Sequence, residues 1–135
     1  ALAGPHAARV IPLAIDEFAD VTPAPSPQFT VLTAARLIDR KHIALLIDSF
    51  SRFLVDAPEA RLTIVGDGPE RSRLEQQAHR RGVAHAVEFT GRLEQRAVRE
   101  CMARAHVFVL PSVRESLGTV YFEAMSVKVP VVGVT

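Results

Sequence analysis

The sequence predicts an α/β domain in which a parallel sheet is covered by helices on both faces. Three observations predict it. Short apolar, β-branched runs alternate with longer stretches whose apolar residues recur at helical spacing. The short runs are apolar nearly throughout, as strands buried on both faces are, and do not alternate as a sheet with one wet side would. Gly and Pro punctuate most of the junctions between them.

Each element follows from its own residues. Residues 29–35 form the first strand. Residues 44–55 carry apolar side chains at 46, 47, 50, 53 and 54, the spacing of one helix face, and Pro58 stops that helix. Residues 61–65 are the second strand, ended by the turn Gly66-Asp67-Gly68-Pro69. Pro69 suits the first turn of a helix over 70–81, which Gly82 closes. Residues 87–90 are a short strand before Gly91, 93–105 read as a helix, and 107–110 are a wholly apolar strand. A polar loop over 111–117 leads to a short helix over 119–127, and 129–134 are the last strand. Ahead of all this lie a short apolar run over 10–15, broken by Pro12, and a segment holding Pro23, Pro25 and Pro27. Alternate prolines forbid a helix and favour an extended connector. The chain therefore divides into a leading segment and Pro-rich connector over 1–28 and an organised domain over 29–135. It begins without Met and stops just after a strand, so it reads as a piece of a longer protein, cut at both ends.

Composition narrows the function. With 135 residues, 48% of them hydrophobic and 23% charged, the chain is neither disordered nor fibrous. The net charge is +1 and no basic stripe is present, which argues against a nucleic-acid partner. Cys101 is the sole cysteine, so no intramolecular disulfide forms, in keeping with a reducing compartment. No stretch approaches the roughly 18 apolar residues of a membrane span, and the first residues do not read as a signal peptide.

In parallel sheets, ligands bind outside the carboxyl ends of the strands. That rule points to the loops after each strand. The richest is the segment from Pro111 to Glu123. Gly118 and Thr119 sit where a helix starts, and free backbone N–H groups with the positive helix end can hold an anion there. Glu115 lies at the loop tip and Glu123 about one turn into the helix, so two carboxylates are available to accept from sugar hydroxyls. Arg36 and Lys41 follow the first strand and can neutralise a diphosphate, one by its fork and the other as a point charge. Read alone, each cation is an ordinary surface residue and Glu123 a solvated helix residue; their place after buried strands singles them out. The turn 66–69 has neither P-loop nor dinucleotide spacing, and reads as a connection between strand and helix. The five His and Cys101 show no metal-ligand spacing, so no metal is expected. His106 reads as a helix-end residue and Cys101 as inert packing. Ser112 and Ser116 lack a nucleophile elbow.

These residues also carry a resemblance. The strings Val10-Ile-Pro-Leu-Ala-Ile-Asp16, Ala35-Arg36-Leu-Ile-Asp-Arg-Lys41-His42, Leu62-Thr-Ile-Val-Gly-Asp-Gly-Pro-Glu70, Phe89-Thr-Gly-Arg-Leu93 and Ala105-His-Val-Phe-Val-Leu-Pro-Ser112 run along almost the whole chain. Glu115 through Glu123 then reads as a Glu-x7-Glu motif. Together they resemble the C-terminal, donor-binding domain of retaining GT-B glycosyltransferases of family 4, the glycosyltransferases group 1. The resemblance implies a Rossmann-like half of a GT-B fold that binds a nucleotide-diphospho-sugar, and, in the intact protein, transfer of the sugar to an acceptor with retention of configuration. It implies that Arg36, Lys41, Gly118 and Thr119 meet the donor diphosphate. It implies that Glu123 meets the ribose, that Arg92 and Leu93 meet the base through their backbone, and that Glu115 is the catalytic-site residue at the transferred sugar. It implies no cofactor beyond the donor, a missing N-terminal acceptor domain, and a cytoplasmic location with peripheral membrane contact through that domain. The pattern departs from the family at Leu13-Ala14, Ala35, His42, Leu117 and Thr119. Alternative readings are a GT-B sugar-nucleotide epimerase, a phosphorylase-like enzyme, or a non-catalytic nucleotide-sugar-binding module.

Overall fold

The computed structural model describes residues 21–113 and 118–134. The leading segment over 1–20 and the Glu115 loop tip lie outside them. Five strands, β1 (Thr30–Ala34), β2 (Arg61–Val65), β3 (Val87–Gly91), β4 (Val107–Leu110) and β5 (Val131–Gly133), form one sheet. Four helices alternate with them: α1 (Ile43–Asp56), α2 (Arg71–Arg80), α3 (Gln95–Arg104) and α4 (Thr119–Ser126). Every predicted element is present, with ends displaced by at most two residues. Two 3-10 turns were not anticipated, over Asp39–Lys41 and Ala84–Ala86. Pro69 precedes α2 instead of lying in its first turn.

All the strand pairs are parallel, and the order is β3-β2-β1-β4-β5. The chain builds outward from β1 to β3, then crosses back to place β4 on the other side of β1. With right-handed crossovers, α1 and α2 cover one face and α3 and α4 the other. The helices do this because each carries an apolar stripe. In α1 it is Ile43, Leu46, Ile47 and Phe50, all buried at i, i+3, i+4, i+7. Leu32, Leu62, Ile64, Phe108 and Leu110 of the sheet belong to the same core, with Leu74 of α2, Met102 of α3 and Ala124 of α4.

The amino end of the sheet is closed by two devices. The connector lies along the end of α3, where Ala24 and Ser26 N–H groups donate to the carbonyls of Ala103 (3.0 Å) and Arg104 (2.9 Å). They satisfy carbonyls that a helix end leaves unpaired. His106 is more than a helix-end residue. Its N–H donates to the Thr30 carbonyl (2.9 Å), its Nδ1 accepts the Thr30 N–H (3.1 Å), and its ring stacks on Phe29 with centroids 5.1 Å apart.

Candidate functional site

The crossing back at β1 makes a crevice between the carboxyl ends of β1 and β4, the switch point where such sheets take ligands. The loops that flank it carry most of the residues singled out by the sequence. After β1 come Arg36, exposed, and Lys41, half-buried at the end of its 3-10 turn. After β4, Ser112 is buried and its hydroxyl donates to the Arg40 carbonyl at 3.4 Å, so the two loops touch beside Lys41. His42 stands where the family pattern has Gly. It adopts the left-handed conformation all the same, at φ 52°, and serves as the N-cap residue of α1. The loop thus keeps a left-handed turn without the glycine.

At the far side of the crevice Gly118 caps α4 at φ 57°. Thr119 and Glu123, four residues apart, lie on one side of that helix, one turn above the other. The helix is held against the sheet by Tyr121. Its hydroxyl donates to the Leu110 carbonyl (2.8 Å), and its ring meets Phe108 edge-on, with centroids 6.1 Å apart.

A second stretch of the same edge forms an open cleft of about 620 Å³ over the ends of β1, β2 and β3. Ala35, Arg36, Gly66, Asp67, Arg92 and Leu93 line it, with Val65 and Val98 beneath. Arg92 and Leu93 therefore share a cleft with Arg36. A cavity of about 510 Å³ lies elsewhere, against the sheet face beside α3, and includes Cys101. Burial, then the nearby Glu88 carboxylate, pushes the Cys101 thiol up, which keeps it protonated and inert.

The turn after β2 is more than a connection. A Cβ on Gly66 would lie 1.9 Å from the Ala35 carbonyl oxygen, and one on Gly68 would lie 2.4 Å from that of Leu37. The close approach lets the loops bond backbone to backbone: Ala35 N–H to Val65 O (3.0 Å), Leu37 N–H to Asp67 O (2.9 Å), and Glu70 N–H to Leu37 O (3.1 Å). Gly66 N–H donates to Gly91 O (2.8 Å), tying in the end of β3. The sequence shows the glycines but not the loop they accommodate. It also gave no sign of Arg71, a charged residue at a helix start. Its Nε donates to Glu75 (2.8 Å), and that bond holds the guanidinium even more firmly protonated than usual.

Among the described residues, no three His, Cys, Asp or Glu side chains gather as metal ligands, and no helix is long and apolar enough to cross a membrane.

Comparison with known proteins adds to this geometry. Residues 14–135 match the family model described as glycosyl transferases group 1. The chain is 35% identical over 129 residues to the phosphatidylinositol N-acetylglucosaminyltransferase gpi3 subunit of Schizosaccharomyces pombe, covering 93% of this chain and 28% of that protein. It is 34% identical over 125 residues to a GDP-mannose-dependent monoacylated alpha-(1-6)-phosphatidylinositol monomannoside mannosyltransferase of Corynebacterium glutamicum, covering 87% and 31%. A solved structure of Anabaena Alr3699/HepE in complex with UDP and glucose superposes with a TM-score of 0.71 at 29% identity, covering 78% of this chain and 30% of that one. The chain thus spans under a third of the length of these relatives.

Proposed function

The chain belongs to the glycosyl transferases group 1 family, and from that premise we propose that it is the donor-binding domain of an enzyme that transfers a sugar from a nucleotide-diphospho-sugar to an acceptor, with retention of configuration. The observation that carries the reading is the strand order β3-β2-β1-β4-β5. It sets the loops bearing Arg36 and Lys41 across one crevice from the helix start bearing Gly118, Thr119 and Glu123.

In this reading the diphosphate lies in the crevice. Arg36 and Lys41 face it from the β1 loop, and the amides at Gly118 and Thr119 face it from the α4 start, where the positive helix end adds to the field. These groups stabilise the charge that develops on the leaving diphosphate. Glu123 accepts from the ribose hydroxyls, the base lies against Arg92 and Leu93, and Glu115 takes hydroxyls of the transferred sugar. The acceptor site belongs to another domain. Both relatives carry phosphatidylinositol in their names, which supports an enzyme that works at a membrane, in this reading at its cytoplasmic face.

Calorimetry with UDP, GDP and their glucose and mannose conjugates tests this. The protein is expected to bind one nucleoside diphosphate, with affinity rising from nucleoside to monophosphate to diphosphate. Glu123→Ala should weaken that binding by about 1.5–3 kcal/mol, the worth of a hydrogen bond to a charged group. Lys41→Ala should flatten the phosphate series, and Arg36→Lys should not restore an Arg36→Ala loss, because a point charge lacks the fork. Glu123→Ala binding as tightly as wild type would remove the ribose assignment.

A further inference from the structure

We propose that Arg71 is a positioning residue for nucleotide recognition, acting through the β3 end that carries Arg92 and Leu93. The inference rests on the reading that this loop meets the base of the donor.

The end of β3 is irregular. Ile64 pairs with Phe89, but Val65 pairs with Gly91, so Thr90 is looped out of register just before Arg92. A bulge of this kind re-aims the chain that follows it. Here the chain that follows lines the 620 Å³ cleft. β3 is also the edge strand, paired on one side by β2 and on the other by nothing among the described residues. Its last residues therefore need support from outside the ladder.

Arg71 supplies it. One nitrogen, Nη2, donates to the Phe89 carbonyl at 3.4 Å, on the near side of the bulge. The other, Nη1, packs on Gly91 at the far side, where an added Cβ would meet it at 3.1 Å. Nη1 also lies 4.0 Å from Asp67 in the turn after β2. The guanidinium is aimed by Glu75, one turn along α2, through the 2.8 Å bond from Nε. A single planar group thus spans the bulge, the neighbouring turn and the helix. Lysine could provide the charge but not these simultaneous directions.

The test uses Arg71→Met and Arg71→Lys in the full-length protein. Hydrogen exchange without ligand should show faster exchange at the amides of 91–93 in both variants, with β1 and α1 unchanged. Calorimetry with UMP, GMP and inorganic pyrophosphate should then show nucleotide affinity down by about tenfold, the scale expected from a small misplacement of a binding group. Pyrophosphate affinity should hold within about twofold on the same grounds, since its site lies at the switch point. Arg71→Lys should recover little. Unchanged exchange at 91–93 would overturn the proposal, and so would equal losses on nucleotide and pyrophosphate. If wild type binds neither UMP nor GMP, the donor reading fails on its own, while the exchange data still decide whether Arg71 positions the loop.

Discussion

The two halves of the sheet's carboxyl edge are built by different means. Over β1, β2 and β3, the loops are joined backbone to backbone, and the glycines at 66 and 68 leave no room for a side chain. Between β1 and β4, the loops meet through a side chain, the Ser112 hydroxyl donating to the Arg40 carbonyl at 3.4 Å. On that half the left-handed positions among the described residues are His42 at φ 52°, which keeps a full side chain, and Gly118 at φ 57°. The first half is a wall fixed by close approach. The second carries most of the charged and hydroxyl-accepting groups on turns with looser steric requirements. Glycine is indispensable where another backbone occupies the space of its Cβ, and only preferable where the conformation alone is at issue.

The largest effect that could break this comparison is at Gly66. An alanine there would clash with the Ala35 carbonyl and would also hold φ near 127°. Backbone strain and overpacking each cost about 1–3 kcal/mol, so Gly66→Ala should lose at least about 2 kcal/mol. Chemical denaturation would measure it. A loss under about 1 kcal/mol would mean that the β1 loop can give way, and the wall would not be fixed.

A smaller effect, of opposite sign, is expected where the conformation alone is at issue. α2 and α4 end in the same hydrogen-bond pattern. Gly82 N–H bonds to His79 O and Val83 N–H to Ala78 O, while Lys128 N–H bonds to Met125 O and Val129 N–H to Ala124 O. Gly82 meets nothing within 4 Å of a built Cβ, so only conformation favours glycine there. A left-handed residue other than glycine costs about 1–2 kcal/mol, and glycine gives back about 0.5–1 kcal/mol as backbone entropy. Lys128→Gly should therefore stabilise by somewhat under about 1 kcal/mol, a rise in Tm of a few degrees at most. His42→Gly should do the same and bring the β1 loop closer to the family pattern. If His42→Gly destabilises instead, the imidazole makes contacts that outweigh its strain.

This division also explains what the sequence could reveal. Strands buried on both faces announce themselves as apolar runs, and helices by the spacing of residues such as Ile43, Leu46, Ile47 and Phe50. Strand order is a matter of non-local pairing, and no single segment carries it. Arg36, Lys41, Gly118, Thr119 and Glu123 stand out in the sequence as candidates because each stands at the end of a recognisable strand or near the start of a helix. The roles of Gly66 and Gly68 were not, because the atoms they make room for belong to residues 35 and 37 on another strand's loop. Arg71 reads as a solvated helix residue until the bulge at Thr90 is seen. His106 was hidden for a related reason: its acceptor role depends on Thr30, which lies far away in sequence.

The smallest effect is expected where neither half of the edge is touched. Asp48 on α1 receives Gln77 Nε2 (2.6 Å), Arg81 Nε (2.8 Å) and Arg81 Nη2 (3.0 Å), which join α1 to the end of α2. The hydrogen bond from Arg81, the largest cause, holds its carboxyl below the ordinary 3.8, against a smaller opposing push from burial. Because the folded value is the lower one, the stabilisation is fully present above the unfolded value. It is lost as pH falls through the folded one. Stability should therefore be flat from neutral pH down to about 5 as far as this group is concerned, and should decline below about 4. The pair is largely open to water, and exposed pairs are worth about 0–1 kcal/mol, so Asp48→Asn should cost no more than that at pH 7. The variant should also show a shallower acid decline than wild type, since it removes the titrating group and keeps its shape. Urea titrations of both proteins at pH 7 and pH 3 would separate the two. A wild-type and Asp48→Asn difference that is the same at both pH values would show that the residue joins α1 to α2 by shape and hydrogen bonding alone, with no contribution from its charge.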